Sequence, residues 1–107
     1  MSIENEIKEQ IEANPILLYM KGSPDSPQCG FSMAVSNVLK HLNVNFKGVN
    51  VLEDPNLRQG IKDYSDWPTF PQLFINGELI GGSDIMNEMF DSGDLQKAIN
   101  QVEIPES

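Results

Sequence analysis

The chain has 107 residues, of which seven are lysine or arginine and sixteen are aspartate or glutamate, so its formal net charge is −9 at pH 7. An acidic protein repels nucleic acid and anionic membranes, and the longest apolar run, Ile16–Met20, is far too short to span a bilayer. The length predicts a single domain over 1–107 with a frayed tail over about 103–107. Because Cys29 is the only cysteine and no secretory leader is evident, we expect a reducing, cytoplasmic location without disulfides.

The first half of the chain is predicted to form an amphipathic helix followed by a βαβ unit. The predicted elements are, in chain order, a helix carrying Ile3, Ile7 and Ile11, a strand over 16–20, a loop over 21–28, a helix from Cys29 onward, and a weaker strand over 46–51. Asn14–Pro15 ends the first helix, because a residue before proline disfavours helical backbone. Since a helix joins the two strands, we expect them to be parallel, with a right-handed crossover.

The second half is predicted to form a helix, a β-hairpin and two further helices. Its elements are a helix opened by Asp54–Pro55 with Leu57, Ile61 and Tyr64 on its apolar side, an irregular segment over 67–71, strands over 72–75 and 78–80 joined by Asn76–Gly77, a helix opened by Ser83–Asp84, and a helix after Gly93 carrying Leu95, Ala98, Ile99 and Val102. Asn-Gly favours a type I′ turn. The element order predicts an α/β fold: a central four-stranded mixed sheet with helices on both faces.

Cys29 is the residue most expected to carry chemistry. It lies between a polar, proline-rich loop and a helix start, where the helix dipole and the nearby Lys21 favour a thiolate. The alternatives are a buried cysteine acting as a small apolar residue and a thiol that shares a metal with ligands from elsewhere. Ser32 occupies the position that would complete a Cys-x-x-Cys pair, and it cannot form a disulfide. With one histidine and one cysteine, the chain offers no zinc site of its own.

Cationic residues are candidates for binding an anion, because the chain has so few of them. Lys21, directly after the first strand, is expected either to stabilise a thiolate, to bind a carboxylate or to be a solvated loop lysine. Arg58 and Lys62 lie one turn apart on the third helix, so they form either a carboxylate clamp or part of an ordinary exposed face.

Two further segments have both a binding and a purely structural interpretation. Phe70–Pro71 precedes a strand, so it is either a cis peptide whose backbone could pair with a ligand or a rigid turn, which the local sequence favours. Ser83 and Asp84 either cap a helix or help to bind a carboxylate and an ammonium group. Together these residues describe a thiol flanked by sites for two carboxylates and an ammonium group, which suits a small zwitterionic peptide, and glutathione is one.

Four motifs, in this order and spacing, resemble the monothiol glutaredoxins of the Cys-Gly-Phe-Ser type, specifically their short single-domain bacterial form. They are Lys21-Gly22-Ser23-Pro24, Cys29-Gly30-Phe31-Ser32, Trp67-Pro68-Thr69-Phe70-Pro71-Gln72 and Gly81-Gly82-Ser83-Asp84. The similarity covers roughly residues 3–101, and it implies a thioredoxin-like fold. One position departs from the family pattern: residue 83 is often cysteine there and is serine here, which removes a second thiol but leaves a role for the backbone N–H.

The resemblance implies a role for each matching residue. Cys29 would be the active-site thiol and a ligand of a [2Fe–2S] cluster. Lys21 and Arg58 would hold the glycine carboxylate of glutathione, with Lys62 as a helper. The backbone of Phe70, before an expected cis-Pro71, would pair with the cysteinyl part of glutathione. The γ-glutamyl end would be bound by Ser83 and Asp84.

The function implied by the resemblance is glutathione-dependent binding and transfer of a [2Fe–2S] cluster in iron–sulfur protein maturation or iron homeostasis. Such a cluster commonly takes four thiolates, which two protomers and two glutathiones supply, so we expect a homodimer with the cluster and a monomer without it. Apo iron–sulfur proteins and a BolA-type protein are the implied partners. The alternative is monothiol thiol–disulfide exchange, although the long Lys21–Cys29 loop is a family trait linked to weak oxidoreductase activity. An interaction module with an inert thiol is a third interpretation.

Overall fold

The computed structural model describes residues 2–101, so Val102 and the predicted frayed tail lie outside the described residues. The elements are, in chain order, α1 (Ile3–Ala13), β1 (Ile16–Met20), β2 (Gly22–Ser23), β3 (Ser26–Pro27), α2 (Gly30–His41), β4 (Lys47–Asn50), a 3₁₀ turn (Val51–Glu53), α3 (Pro55–Ser65), β5 (Gln72–Ile75), β6 (Glu78–Gly81), α4 (Ser83–Ser92) and α5 (Asp94–Asn100). The predicted α/β order is confirmed. None of the helices within residues 2–101 has the length and apolar composition needed to cross a bilayer.

The four-stranded sheet has the order β4-β1-β5-β6 and is mixed, as predicted. β1 is central: it pairs in parallel with β4 and antiparallel with β5, so that Leu18 lies between Gly48 and Leu73. Every residue of β1 is buried, in keeping with a strand covered on both faces. The carboxyl end of β1 is Met20, and the next residue, Lys21, lies beside the start of α2.

Side chains of β1 alternate between two apolar cores, one on each face of the sheet. Ile16, Leu18 and Met20 pack with residues of α2, α4 and α5. Leu17 and Tyr19 pack on the other face with residues of α1 and α3. Helices therefore cover both faces of the sheet, as the sequence predicts.

Local capping and turn signals are confirmed where the partners lie close in sequence. The Asp54 side chain accepts hydrogen bonds from the N–H groups of Asn56 and Leu57 at the start of α3. Asn76 and Gly77 both have positive φ, 54° and 84°, as a type I′ turn requires. Both features need only neighbouring residues, which explains why sequence alone is sufficient to predict them.

Several boundaries differ from the prediction. The 21–28 segment contains a short antiparallel hairpin, β2–β3, instead of being loop throughout. The second parallel strand ends at Asn50, because the Asn50 side chain accepts the N–H of Leu52 and turns the chain into the 3₁₀ turn. The strand predicted to break at Gly81 includes that residue. Tyr64, predicted on the apolar side of α3, is 38% exposed.

Candidate thiol and ligand site

Cys29 is the N-cap residue of α2. Its Sγ accepts the backbone N–H of Ser32 at 3.3 Å, so the thiol takes the place of the usual oxygen cap of a helix. The side chain is partly exposed. A sulfur in this position lies at the positive end of the helix dipole, which favours the thiolate over the thiol.

Ser32 connects the thiol to the end of the central strand. The side chain is fully buried, and its Oγ lies 3.2 Å from Cys29 Sγ while accepting the backbone N–H of Lys21 at 3.0 Å. Since the hydroxyl accepts from Lys21, its own proton is available to donate to a thiolate at Cys29. Sequence reasoning treated Ser32 only as a position without a thiol. Its three-residue spacing from a helix cap was the signal that could have indicated this hydrogen bond.

The Cys29 thiol is more acidic than an ordinary cysteine. Burial by itself would raise its pKa, but the Ser32 hydroxyl, the N–H groups of Ser32 and Phe31, and the charge of Lys21 outweigh burial, so the pKa is lowered. A lowered pKa increases the fraction of thiolate, which is the form of cysteine that acts as a nucleophile and as a metal ligand.

Replacing Ser32 with alanine is expected to raise the pKa of Cys29. The variant removes a donor to the thiolate, and hydrogen bonds to charged groups contribute about 1.5–3 kcal/mol, so alkylation of Cys29 by iodoacetamide at mildly acidic pH is expected to slow by about tenfold. The measurement is the alkylation rate against pH, in which the wild type titrates at lower pH than Ser32→Ala.

Ser36→Ala is the matched control for this substitution. Ser36 lies one turn further along α2 and is also fully buried, and its hydroxyl has no hydrogen-bond partner among residues 2–101. Its alkylation profile is expected to match the wild type. Equal profiles for Ser32→Ala and Ser36→Ala would contradict the role assigned to the Ser32 hydroxyl.

A cleft of about 500 Å³ lies beside the thiol. It is lined by Lys21, Phe31, Arg58, Lys62, Pro68, Thr69, Phe70, Ser83 and Asp84. The cleft thus brings together every predicted ligand-binding residue, although they come from four separate parts of the chain. Cys29 itself is not on the lining, but Phe31 is, and Ser32 links the thiol to Lys21 at the cleft. Phe31, Pro68 and Thr69 are lining residues to which sequence reasoning assigned no individual binding role.

The cleft carries an excess of positive charge in a strongly acidic protein. Its cations are Lys21, Arg58 and Lys62, and Asp84 is its only acidic residue. The one ion pair found among residues 2–101 joins Lys8 to Glu4, which do not line the cleft. Arg58 Nε is buried and has no hydrogen-bond partner within that same range. Because Arg58 also lines the cleft, its positive charge attracts an anion bound there.

The segment before β5 and the start of α4 also line the cleft. The Phe70–Pro71 peptide bond is cis, as the resemblance implied. The N-cap of α4 is Gly82, and no side chain caps this helix, so the alternative in which Ser83 or Asp84 caps it is wrong. The first N–H groups of α4 are therefore available to a carboxylate, with Asp84 beside them.

Cys29 is not part of a cluster of metal-ligating side chains within the described residues. Among residues 2–101, no three His, Cys, Asp or Glu side chains lie close enough together to bind a metal ion. Cys29 is a single soft ligand, and a structural or cluster site needs several. Any cluster at Cys29 must therefore draw most of its ligands from other molecules.

Comparison with known proteins identifies the family. The profile of the family described as "Glutaredoxin" matches residues 16–80. "Glutaredoxin 4" of Haemophilus influenzae (strain 86-028NP) is 50% identical over 102 residues, which are 95% of this chain and 95% of that protein. "Probable monothiol glutaredoxin 2" of Rickettsia conorii is 54% identical over 97 residues, covering 91% and 87% of the two chains. The chain spans only 20% of "Monothiol glutaredoxin-S17" of Arabidopsis thaliana, at 49% identity.

A solved structure agrees with these relatives. Reduced apo GrxS14 of poplar superposes with a TM-score of 0.83 at 47% sequence identity, covering 94% of this chain and 92% of the poplar chain. The family profile, the TM-score and the identity over nearly the whole length lead to one conclusion. The chain belongs to the glutaredoxin family, among its monothiol members, and has their thioredoxin-like fold.

Proposed function

We propose that the protein binds glutathione in the cleft beside Cys29 and, together with glutathione, binds and transfers a [2Fe–2S] cluster. The observation that carries the proposal is the position of an acidic thiol next to a cleft lined by three cations and one carboxylate. The cluster is the cargo, delivered to apo iron–sulfur proteins in the cytoplasm during iron–sulfur protein maturation or iron homeostasis.

Glutathione matches the chemistry of the cleft group by group. It carries two carboxylates, one ammonium and one thiol. Lys21 and Arg58 would bind the glycine carboxylate, with Lys62 nearby. The backbone of Phe70 would pair with the cysteinyl residue. The uncapped N–H groups at the start of α4, at Ser83, would donate hydrogen bonds to the γ-glutamyl carboxylate. The Asp84 carboxylate would bind the ammonium group.

The ligand count supports a cluster between two protomers. A [2Fe–2S] cluster commonly takes four thiolates, and each protomer supplies only Cys29. Two protomers and two glutathiones complete the set, so the protein would be a homodimer with the cluster and a monomer without it. A BolA-type protein is a further proposed partner. Glutathione ligands exchange freely, which suits donation of the cluster.

Exposed apolar side chains around the thiol support contact with another protein surface. Phe31 and Met33, both in the first turn of α2, are 64% and 50% exposed. Large apolar side chains are usually buried, and a grouped exposure beside a reactive residue is typical of an interface. A second protomer facing Cys29 would cover both side chains.

Monothiol thiol–disulfide exchange is the second candidate, favoured by the lowered pKa and partial exposure of Cys29. The Cys29 thiolate would attack the glutathione sulfur of a glutathionylated substrate, forming a Cys29–glutathione disulfide and releasing the substrate thiolate. A second glutathione thiolate would then attack that disulfide, releasing oxidised glutathione and regenerating Cys29. This route needs only one cysteine, which is what the chain has.

Anaerobic reconstitution with iron, sulfide and glutathione tests the main proposal. We expect a coloured homodimer that forms only when glutathione is present, measured by visible absorption and by mass in solution. Omitting glutathione is the control, since the chain lacks the missing ligands. A protein that stays colourless and monomeric while rapidly reducing a glutathione mixed disulfide would favour the second candidate instead.

Replacing Arg58 with glutamine is expected to weaken glutathione binding by about tenfold, equal to ~1.4 kcal/mol, because a charge-assisted contact to a carboxylate is lost. The measurement is isothermal titration of the apo protein with reduced glutathione. Lys97→Gln is the control, because it removes the same charge on α5, away from the cleft lining. Equal affinities for the two variants would contradict a role for Arg58 in binding.

A further inference from the structure

Gln72 is a polar side chain in the middle of the protein interior. It is the first residue of β5, it pairs with Tyr19 of the central strand, and it is fully buried. Polar side chains are seldom buried completely without a specific partner. Among residues 2–101, the fully buried polar side chains are those of Ser32, Ser36 and Gln72, and of these three only Gln72 forms hydrogen bonds to the segment before β5.

The Gln72 amide holds two backbone carbonyls at once. Its Nε2 donates to Trp67 O at 3.0 Å and to Thr69 O at 3.2 Å. Both acceptors are carbonyls, so the amide must present its nitrogen to them, since a flipped amide would place oxygen against oxygen. The segment is also anchored at its start, where Trp67 N–H donates to Ser65 Oγ at 3.2 Å.

The other end of the same amide is unpaired. Gln72 Oε1 is buried and has no hydrogen-bond partner among residues 2–101. A buried acceptor without a partner destabilises a fold, and an unbranched apolar side chain of similar length would avoid this cost. Core stability therefore does not account for a glutamine at position 72. Its two donated hydrogen bonds are what an apolar side chain could not supply.

We propose that Gln72 is a positioning residue whose side-chain amide holds the backbone of 67–69 in place, so that Pro68, Thr69 and Phe70 form one wall of the cleft. This inference rests on the proposed binding of glutathione there. Pro68 and Thr69 are exposed, whereas Phe70 is buried in the core at 6% exposure. Without the amide, the two carbonyls would turn toward water and the wall would lose its fixed shape.

Gln72→Met is the test, because methionine keeps the length and removes both donors. We expect the dissociation constant for reduced glutathione to rise by about tenfold, while the thermal midpoint stays within about 4 °C of the wild type. Trp67 is the only tryptophan in the chain, so its emission reports the segment directly. We expect the emission of Trp67 to shift and its quenching by acrylamide to increase in Gln72→Met.

Gln10→Met is the matched control. Gln10 lies on α1, accepts the Tyr19 hydroxyl at 2.7 Å and is not on the cleft lining, so its replacement is expected to change neither glutathione affinity nor Trp67 emission. Gln72→Leu is a second variant in case Gln72→Met does not fold. If the variants lose glutathione affinity only in proportion to their loss of thermal stability, the inference is overturned. A residue that merely stabilises the core would behave in that way.

The outcomes separate this inference from the proposed function. If the wild type does not bind glutathione in the titration, the proposed function fails, and the Trp67 emission of Gln72→Met still decides whether Gln72 positions the segment. If the wild type binds glutathione and Gln72→Met binds it equally well with unchanged emission, the inference about Gln72 is overturned while the proposed function stands.

Discussion

Replacing Cys29 with serine is expected to abolish cluster binding without unfolding the protein. Serine is a favourable N-cap residue, so its hydroxyl can accept the Ser32 N–H that Cys29 Sγ accepts now, and α2 keeps its cap. The hydroxyl is not ionised at neutral pH and is a poor ligand for an iron–sulfur cluster, which binds thiolates. Anaerobic reconstitution of Cys29→Ser with iron, sulfide and glutathione is therefore expected to give colourless monomers.

Cys29→Ala separates the two roles of the side chain. Alanine removes both the thiolate and the cap, so this variant is expected to lose the cluster and about 1 kcal/mol of unfolding free energy in urea. Cys29→Ser is expected to lose the cluster alone. A Cys29→Ser protein that still gives a coloured homodimer would contradict the assignment of Cys29 as a cluster ligand.

Replacing Gly22 with alanine is expected to have the largest effect on stability of any change near the site. Gly22 has φ of +91°, and a Cβ there would lie 2.5 Å from Ser26 O and 2.6 Å from Gln28 N, both backbone atoms. Those atoms belong to the β2–β3 hairpin and to the turn closed by the hydrogen bond from Gln28 N to Lys21 O at 2.9 Å. Relief of the clash must therefore open the hairpin between Lys21 and Cys29.

We expect Gly22→Ala to lower the unfolding free energy by about 2–4 kcal/mol, through the positive φ and the backbone clash together. Urea unfolding followed by circular dichroism gives the measurement. Gly30→Ala is the matched control, because a Cβ at Gly30 meets nothing within 4 Å, and its effect is expected to stay within about 0.5 kcal/mol. If Gly22→Ala is as stable as Gly30→Ala, the conclusion that the β2–β3 hairpin is rigid is contradicted.

The elements that sequence predicted correctly depend on interactions between near neighbours. Ile3, Ile7 and Ile11 recur at helical spacing, and the run at 16–20 is apolar throughout, so α1 and β1 follow from periodicity and burial. The turn at Asn76–Gly77 follows from the φ preference of those two residues. Long-range partners are not needed for any of these, which is why the prediction was accurate there.

The boundaries that sequence missed depend on partners far away in the chain. The β2–β3 hairpin is held from outside, since Gly22 N–H donates to Asn50 Oδ1, 28 positions along the chain. The same Asn50 oxygen ends β4 early by accepting the N–H of Leu52. A pattern in a local window contains no information about a side chain that arrives from another element, so these contacts were not predictable from periodicity.

The sequence by itself determined the fold class, the family and the presence of one thiol, because motifs, periodicity and residue counts are written along the chain. Only the tertiary structure decided that Lys21, Arg58, Phe70, Ser83 and Asp84 line one cleft, since the order of the strands sets which distant segments meet. The tertiary structure also decided the buried contacts of Ser32 and Gln72, because desolvation and hydrogen-bond geometry exist only once the chain has folded.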